Sequence, residues 1–332
     1  MSTTRTHHSP GPRRQCGAAL LTAMIIVTLV VTLASSMVWQ QWRAVQVEVV
    51  ERARVQSAWI LTGALDWARL ILREDARAGA VDHLGEPWAV PLAEARLSTF
   101  LAADKSNADN GPDAFLSGSI TDAQARFNVT NLVSEGKVDP LEQAALERLC
   151  QSVGVDVSVA RLIANGMRDA LAPPDATSTA GAGTATGAPT GPLLPQSVSQ
   201  LSWLGVDPKS LSTLKPYLAV LPTVTPINVN TASSQVLAAE IVGLDLGSAE
   251  RLLQLRQRTP FKNLADFVAQ VRALEPIAAK ISVSSNFFEV RGRLRLTDRV
   301  LEERSLVQRL PDGQIRLIER ERVSSRDEKP AS

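Results

Sequence analysis

The sequence predicts an α+β protein in which a long N-terminal helix packs on an antiparallel sheet and a large all-α inserted domain interrupts that sheet. An apolar run near the N-terminus passes without a break into an amphipathic helical pattern, which predicts the long helix. Strand-like segments occur near Ile120 and again over 288–296, and the sequence between them has helical periodicity. Because an isolated pair of strands is not stable, we expect both strand regions to join one sheet.

Residues 18–42 are predicted to form a transmembrane helix. The run Ala18–Val38 contains no charge and no proline, and at about 1.5 Å per residue its length matches a hydrocarbon core of about 30 Å. The threonine and serine side chains within it can donate hydrogen bonds to carbonyls of their own helix. The segment therefore meets both requirements of a membrane span, which are sufficient length and a satisfied set of polar groups.

The basic segment before the apolar run has three interpretations. In the first, the run is an uncleaved signal anchor, with the arginines before it on the cytoplasmic side. In the second, it is a cleaved secretory signal, but it is long for one, and more apolar residues follow its only small-x-small site at Ala34–Ser36. In the third, residues 1–17 are a leader that ends at Gly17 and is removed just before the apolar run.

Residues 43–132 are assigned to the first part of the sheet core. The helical pattern continues to about Arg77. Its predicted apolar face consists of Ile60, Ala64, Trp67 and Ile71. Leu92–Ala103 is expected to be a short helix, and short strands are expected around a polar turn at Thr121–Gln124.

The loop 104–113 is rich in carboxylate and amide side chains, which supply the oxygen ligands that calcium prefers. Its spacing does not fit an EF-hand, because Ala108 falls where a ligand is needed if Gly111 is the turn glycine. A solvated turn is therefore favoured, calcium binding is the alternative, and no metal ligand is assigned.

Residues 133–281 are predicted to form the inserted all-α domain. Pro140 follows Asp139 at the position that proline prefers in the first turn of a helix, and further helical faces come after it. The tract 172–192 is rich in Ala, Gly, Thr and Pro and has no periodicity, so we expect a flexible loop there.

The segment Pro226–Val268 resembles a helix-hairpin-helix unit. Asn230 or Thr231 is expected to cap its first helix, and Gly243–Gly247 is expected to be the hairpin. Such modules often bind DNA phosphates through backbone amides of the hairpin, so a membrane-tethered DNA-binding receptor is the alternative function. An aspartate within the hairpin and a balanced charge around it favour a packing or protein-contact module instead.

Residues 282–323 are predicted to supply the rest of the sheet. Apolar and charged residues alternate over 288–296, which is typical of a half-buried strand. Asp312-Gly313 is typical of a hairpin turn between two further strands. The charged end, 324–332, is expected to be disordered.

Composition argues against several classes of activity. The net charge of +1 gives no bulk attraction to nucleic acid. Without the leader, which contains Cys16, His7 and His8, the chain keeps Cys150 and His83 as its single cysteine and histidine. That is too few for an internal disulfide or for histidine-based metal or nucleophilic chemistry. The sequence also lacks a Gly-rich phosphate loop, and we predict that the protein is not an enzyme.

Several motifs together resemble protein K of the type II secretion system, the GspK family of minor pseudopilins. The leader ends in glycine, as prepilin leaders do, and Thr22 stands at the fifth position after Gly17, where most pilins have Glu and the GspK family does not. Two internal motifs of the family are also present. They are Asp122 with Arg126–Asn128 and Asn131–Leu132, and the Asn-Val-Asn-Thr-Ala run within Ile227–Ala232.

The resemblance implies a pilin-like fold and a non-enzymatic role at the tip of the secretion pseudopilus, where the protein would help to initiate assembly for export across the outer membrane. It implies cleavage by the prepilin peptidase between Gly17 and Ala18, and methylation of the Ala18 amine. The implied partners are other minor pseudopilins (GspI, GspJ and GspH), the major pseudopilin, the peptidase and the inner-membrane secretion platform. The resemblance implies no nucleic acid and no certain cofactor. The implied location is the bacterial inner membrane, crossed once, with the C-terminal domain in the periplasm.

Thr22 suggests how such a protein would be restricted to the tip. In the family picture, the Glu of an incoming subunit neutralises the N-terminal amine of the subunit above it. An unpaired buried charge costs several kcal/mol, and a threonine hydroxyl cannot supply the missing negative charge. We therefore expect this chain to sit above another subunit but not beneath one.

Overall fold

The computed structural model describes residues 16–97, 114–171, 191–271, 280–296 and 299–323. The loop 104–113, most of the low-complexity tract and the tail 324–332 lie outside these stretches. The chain divides into two compact units, Met1–Trp59 and Ile60–Ser332.

A continuous helix, α1, spans Cys16–Ala78 and contributes to both units. Its residues from Ala18 to Val38 are mostly apolar and all exposed, and by length and composition the helix can cross a membrane. The helix ends where Gly79 donates its backbone N–H to the carbonyl of Asp75 (3.1 Å). The predicted long helix is thus confirmed over its whole length.

In the described part of the second unit, five strands form one antiparallel sheet and lie side by side in the order in which they occur along the chain. The strands are β1 (Leu92–Arg96), β2 (Ala114–Asp122), β9 (Phe287–Leu296), β10 (Arg299–Arg309) and β11 (Ile315–Val323). Strand β2 pairs with β9, so the strands on the two sides of the helical region join one sheet, as predicted. The turn at Asp312-Gly313 connects β10 to β11, and Gly313 takes the positive φ that this turn requires.

Helix α1 packs on the inner face of this sheet. The sheet contributes Phe288, Val290 and Leu294, which alternate along β9 as the sequence predicted. The helix contributes a fully buried stripe at helical spacing, namely Leu61, Leu65, Ala68 and Leu72. This stripe is displaced by one residue from the predicted face, and Trp67 of that face is half exposed. Burying each large side chain contributes about 1.5–3 kcal/mol, so the stripe holds the helix against the sheet.

The residues between β2 and β9 (123–286) are here called the helical region, and their described parts contain six short helices. These are α2 (Pro140–Ser152), α3 (Val157–Leu171), α4 (Pro208–Leu214), α5 (Ser234–Glu240), α6 (Leu246–Arg258) and α7 (Leu264–Val268). Helical turns of the 3-10 type occupy Ala123–Ala125, Val129–Leu132 and Val198–Leu204, and another at Pro87–Ala89 precedes β1. The two-residue strands are β3 (Phe127–Asn128), β4 (Val133–Ser134), β5 (Lys137–Val138), β6 (Leu218–Ala219), β7 (Ile227–Asn228) and β8 (Ile281–Ser282).

One large hydrophobic cluster holds the helical region together. It includes Leu146, Leu149, Ile163, Met167 and Phe267, all of them buried almost completely. Phe127, Val129 and Leu132 belong to the same cluster, although they precede the expected boundary at 133. Strand β3 pairs with β6 inside the helical region rather than with the main sheet.

Two local predictions are wrong. Leu92–Ala103 is predicted to be a short helix, but Leu92–Arg96 is strand β1, because pairing with β2 outweighs a weak helical preference. Residues 98–103 of that prediction lie outside the described stretches. The helix α5 is capped by Ser233, whose side chain accepts a hydrogen bond from Val236 N, and not by Asn230 or Thr231. Those two residues lie before the cap and bond to distant parts of the chain.

Candidate functional site

Gly17, Ala18 and Thr22 all lie in the first turns of helix α1. The Thr22 hydroxyl donates to the carbonyls of Ala18 (2.9 Å) and Ala19 (3.0 Å). Thr28, Thr32 and Ser36 of the same segment also donate their hydroxyl groups to carbonyls of the preceding turn. Thr22 is therefore neutral and bonded within its own helix. Cleavage before Ala18 and methylation of its amine stay predictions.

A network of buried polar groups joins the sheet to the helical region, here called the junction (Asp82, Asp122, Asn228, Ser285). Asp122 is the last residue of β2, and its Oδ1 accepts the backbone N–H of Gln124 (2.7 Å). Its Oδ2 accepts hydrogen bonds from Asn228 Nδ2 (3.0 Å), Thr231 Oγ1 (2.6 Å) and Ser285 Oγ (2.6 Å). Burial raises the pKa of the Asp122 carboxyl, and the hydrogen bonds from Ser285, Thr231 and Gln124 oppose the shift. A single carboxylate thus joins the start, the middle and the end of the helical region.

Asp82 extends the junction towards helix α1. Its Oδ2 accepts a hydrogen bond from the backbone N–H of Ser285 (2.7 Å), and its Oδ1 accepts one from Arg309 Nη1 (2.9 Å). Asn228 Nδ2 donates to the Asp82 carbonyl (3.1 Å) as well as to Asp122. The loop after α1 is therefore held by residues from the helical region and from β10.

Asn128 and Asn131 fix the neighbouring chain crossing. Asn128 Oδ1 accepts the backbone N–H groups of Thr130 (3.2 Å) and Leu221 (3.1 Å). Asn131 bonds both backbone groups of Thr225, donating to its carbonyl (2.9 Å) and accepting its N–H (3.1 Å). Both asparagine side chains thus form hydrogen bonds with backbone groups, and they attach this crossing to the segment that precedes the Asn-Val-Asn-Thr-Ala run.

A cluster of three carboxylates, Asp75, Asp82 and Glu86, surrounds Arg309. The cluster places one oxygen from each carboxylate within 4.8 Å of the others, which is close enough to share a metal ion. However, Arg309 already bonds Asp75 Oδ2 (2.8 Å) and Asp82 Oδ1 (2.9 Å), and Glu86 accepts the indole N–H of Trp88 (2.7 Å). A guanidinium supplies the positive charge here, and the arrangement ties the end of α1 to β10.

Two further carboxyl groups, Glu142 and Glu240, meet inside the helical region. Lys280 Nζ lies 2.9 Å from Glu142 Oε1 and 3.6 Å from Glu240 Oε1. Burial, together with repulsion by Glu142, raises the pKa of Glu240 to about 8. The Oε2 atom of each carboxylate has no donor among the described residues, and a proton on Glu240 would supply the pair with one.

The helix-hairpin-helix unit is formed by α5 and α6, but its chemistry does not suit a phosphate. Asp245 caps α6 by accepting the backbone N–H of Ser248 (2.9 Å), so a carboxylate takes the place at the helix N-terminus that a phosphate would need. Arg256 of the second helix is buried and donates to the Val229 carbonyl (2.6 Å). The unit thus packs against the rest of its own chain, and these contacts do not support the DNA-binding alternative.

The sequence motifs identify only some of the residues in these sites. Asp122, Asn128 and Asn131 were singled out by their motif, whereas Asp82, Ser285 and Arg309 were not. Ser285 N and Asp82 are 203 residues apart in the chain, and Arg309 and Asp82 are 227 residues apart. No local pattern links residues at such separations.

Comparisons with known proteins agree with these motifs. Family models described as type II secretion system (T2SS), protein K, match residues 125–223 and 227–284, which lie in the helical region. The type II secretion system protein K of Pseudomonas aeruginosa is 30% identical over 325 residues, covering 93% of each chain. Its counterpart in Klebsiella pneumoniae is 28% identical and covers 89% of this chain and 93% of its own.

A solved structure has the same fold. A chain of the GspK-GspI-GspJ complex from enterotoxigenic Escherichia coli matches with a TM-score of 0.62 and 21% identity, over 83% of this chain and 98% of its own. The sequence relationship to the Pseudomonas protein is the stronger sign of common descent, since it extends along nearly the whole chain. The chain belongs to the protein K family of the type II secretion system, the GspK minor pseudopilins.

Proposed function

We propose that this minor pseudopilin caps the tip of the type II secretion pseudopilus and helps to initiate its assembly for protein export across the outer membrane. The observation that carries the proposal is that the Thr22 side chain is uncharged and forms hydrogen bonds within its own helix. At the position where most pilins place a carboxylate, this helix has a neutral hydroxyl that bonds to its own carbonyls. The subunit therefore lacks the group that would neutralise the amine of a subunit above it.

The energetic cost arises at the amine that cleavage before Ala18 creates. In a fibre this amine is surrounded by apolar helices, and a buried charge without a partner costs several kcal/mol. A subunit with Thr22 has no carboxylate to neutralise the amine of a subunit above it. Its own amine can still be neutralised by the Glu of the subunit beneath it. This asymmetry restricts the protein to the top of the fibre.

The size of the helical region supports the same position. It forms its own large hydrophobic cluster between two neighbouring strands of the sheet. A body of this size is expected to clash within a closely packed fibre and is tolerated at its end.

We assign partners and location by the same reasoning. The related Escherichia coli chain was solved with GspI and GspJ, and we propose the equivalent minor pseudopilins, with GspH, as neighbours of this protein. The major pseudopilin beneath it, the prepilin peptidase and the inner-membrane platform complete the set. Helix α1 would cross the inner membrane once, with the second unit in the periplasm.

Processing is the first part of the proposal to test. Intact mass and N-terminal sequencing are measured on protein made with and without a prepilin peptidase. We expect a peptidase-dependent start at Ala18, with the added mass of methylation. A Met1 start under both conditions would contradict the proposal and leave an uncleaved anchor.

Tip restriction is tested with Thr22→Glu. Thr28→Glu is the matched control, because Thr28 makes the same helix-internal bond but lies away from the fifth position. With the major pseudopilin co-expressed, the wild-type protein should appear only at fibre ends in immunogold images. Thr22→Glu should also appear along the fibre, and Thr28→Glu should not. Unchanged end labelling of Thr22→Glu would show that the missing carboxylate alone does not set the position.

A further inference from the structure

An apolar groove lies between helix α1, the segment 87–92 and the inner face of the sheet. It encloses a cavity of about 260 Å³. Its walls include Leu61, Ala64, Ile71, Trp88, Ile120 and Val290. A cavity of about 150 Å³ is enough to hold a benzene ring, so this groove has room for an aromatic side chain or for two aliphatic ones.

The groove exists because two glycines face each other in the sheet. Gly118 of β2 is paired directly with Gly292 of β9, and neither places a side chain beneath α1. A Cβ at Gly118 would lie 2.8 Å from the Arg291 carbonyl oxygen, so no larger residue fits there without movement of the backbone. The gap is therefore a consequence of backbone geometry at this point of the sheet.

Large apolar side chains surround the mouth of the groove and are exposed. Trp67 is 50% exposed and Val90 is 68% exposed. On α1, Gly63 and Leu70 lie four residues before and three residues after Trp67, on the same helix face. Leu70 is also exposed, and the space above Gly63 is open. Exposed apolar patches of this kind mark surfaces that other proteins cover.

The charges in and around the groove are already neutralised. Glu303, at its floor, is paired with Arg320 and with Arg322 (3.4 Å). Arg291, which also lines the groove, is paired with Glu302 (3.4 Å) and with Glu289 (3.7 Å). A charged ligand would therefore find no free counter-charge among these groups, and the electrostatics favour an apolar occupant with a polar surround.

We propose that the groove receives the apolar ridge of a helix from a neighbouring minor pseudopilin, with one large side chain of that helix inserted beside Trp88. This inference rests on the proposed function, since it assigns the surface through which the tip complex is held. The open space at Gly63 lets the backbone of the partner helix approach closely, as small residues do at other helix contacts. Trp67 and Val90 then become buried on both sides of the inserted side chain, as anchor residues are in interfaces.

The test is site-specific photo-crosslinking in cells that make the full-length protein and the other pseudopilins. The photoreactive residue p-benzoylphenylalanine replaces Val90 in one strain and Leu84 in another. Leu84 is the matched control, because it is 56% exposed in the same loop but does not line the groove. We expect Val90 to crosslink to a minor pseudopilin, identified by mass spectrometry, and Leu84 not to.

A second variant measures the strength of the contact. Trp67→Glu with Val90→Glu should lower recovery of the minor pseudopilins with this protein by about tenfold or more, whereas Leu84→Glu should not. All three side chains are exposed, so the variants should keep the wild-type melting temperature. Crosslinks from Val90 only to a second copy of this chain, only to lipid, or to nothing would overturn the inference. If the minor pseudopilins are still recovered in those cases, the proposed function stands and only the surface is wrong.

Discussion

At the scale of single residues, the carboxylates around Arg309 make the stability of the second unit depend on pH. Burial is the main reason that the pKa of Asp75 rises from 3.8 to about 6, and repulsion by Glu86 and Asp82 adds to it, while Arg309 opposes it. A carboxyl group with a higher pKa in the folded state contributes stability that is complete below its unfolded pKa. That contribution is lost as the pH rises through the folded pKa, here from about 4 to about 6.

Asp75→Asn should remove this part of the pH dependence. Asparagine stays neutral, and Arg309 keeps its bond to Asp82. We expect the melting temperature of the variant, relative to wild type, to increase between about pH 4 and about pH 7. Asp66→Asn, an exposed position on the same helix, serves as the control and should follow the wild-type profile. Parallel profiles for Asp75→Asn and wild type would contradict the assignment.

Glu240 should make the stability depend on pH in the same direction, over a range that extends to higher pH. Its pKa is raised from 4.5 to about 8, mainly by burial, so its contribution is lost progressively as the pH rises from about 4.5 to about 8. Glu240→Gln keeps a neutral donor for Glu142 and should therefore unfold at the same temperature at about pH 6 and about pH 8, whereas wild type loses stability. Glu147→Gln on the same helix as Glu142 is the control. Equal losses in Glu240→Gln and wild type would show that the two carboxyl groups share no proton.

At the scale of elements, the contact between α1 and the sheet depends on the two paired glycines. They differ in what an added methyl group would meet. At Gly118 it would meet the Arg291 carbonyl oxygen at 2.8 Å, which is backbone in a paired strand. At Gly292 it would meet Leu61 Cδ2 at 3.3 Å, the end of a flexible side chain.

Gly118→Ala and Gly292→Ala should therefore have unequal costs, although the residues face each other. Gly118→Ala forces the β2–β9 ladder to shift and should destabilise the protein by about 1–3 kcal/mol. Gly292→Ala needs only a small movement of Leu61 and should cost less than about 1 kcal/mol. Denaturant unfolding of the two variants measures the difference. Equal costs would mean that the sheet can move at Gly118 as easily as a leucine side chain does.

At the scale of the whole molecule, the sequence was sufficient for the architecture because its signals are local. The apolar run predicted α1, and the alternation along β9 and the Asp312-Gly313 turn predicted the later strands. The prediction of a helix at β1 is wrong for a different reason, because this segment forms a strand only through its pairing with β2. Likewise, Asp122 accepts hydrogen bonds from Asn228, Thr231 and Ser285, and only the completed fold brings these residues to Asp122.

The topology makes the helical region removable in principle. Its two ends leave and rejoin the sheet at directly paired residues, because Asp122 of β2 lies opposite Phe288 of β9. An Asn-Gly turn can connect two residues that are paired in this way. A chain with 123–287 replaced by Asn-Gly should therefore keep the five-stranded sheet on α1. It should melt at a lower temperature, since the junction bonds and the contacts of the helical region with the outer face of β10 are lost.

This shortened chain separates the two reasons proposed for the position at the tip. If the missing carboxylate at Thr22 is decisive, the shortened chain should still label only fibre ends. The shortened chain carrying Thr22→Glu should then enter the fibre more readily than full-length Thr22→Glu, because the bulk is gone as well. If the shortened chain with Thr22 already labels the body of the fibre, the size of the helical region excludes the full-length protein from that position. The missing carboxylate at Thr22 is then not the cause. Circular dichroism and a cooperative melt of the shortened chain are the necessary controls, because an unfolded chain would also be absent from the fibre.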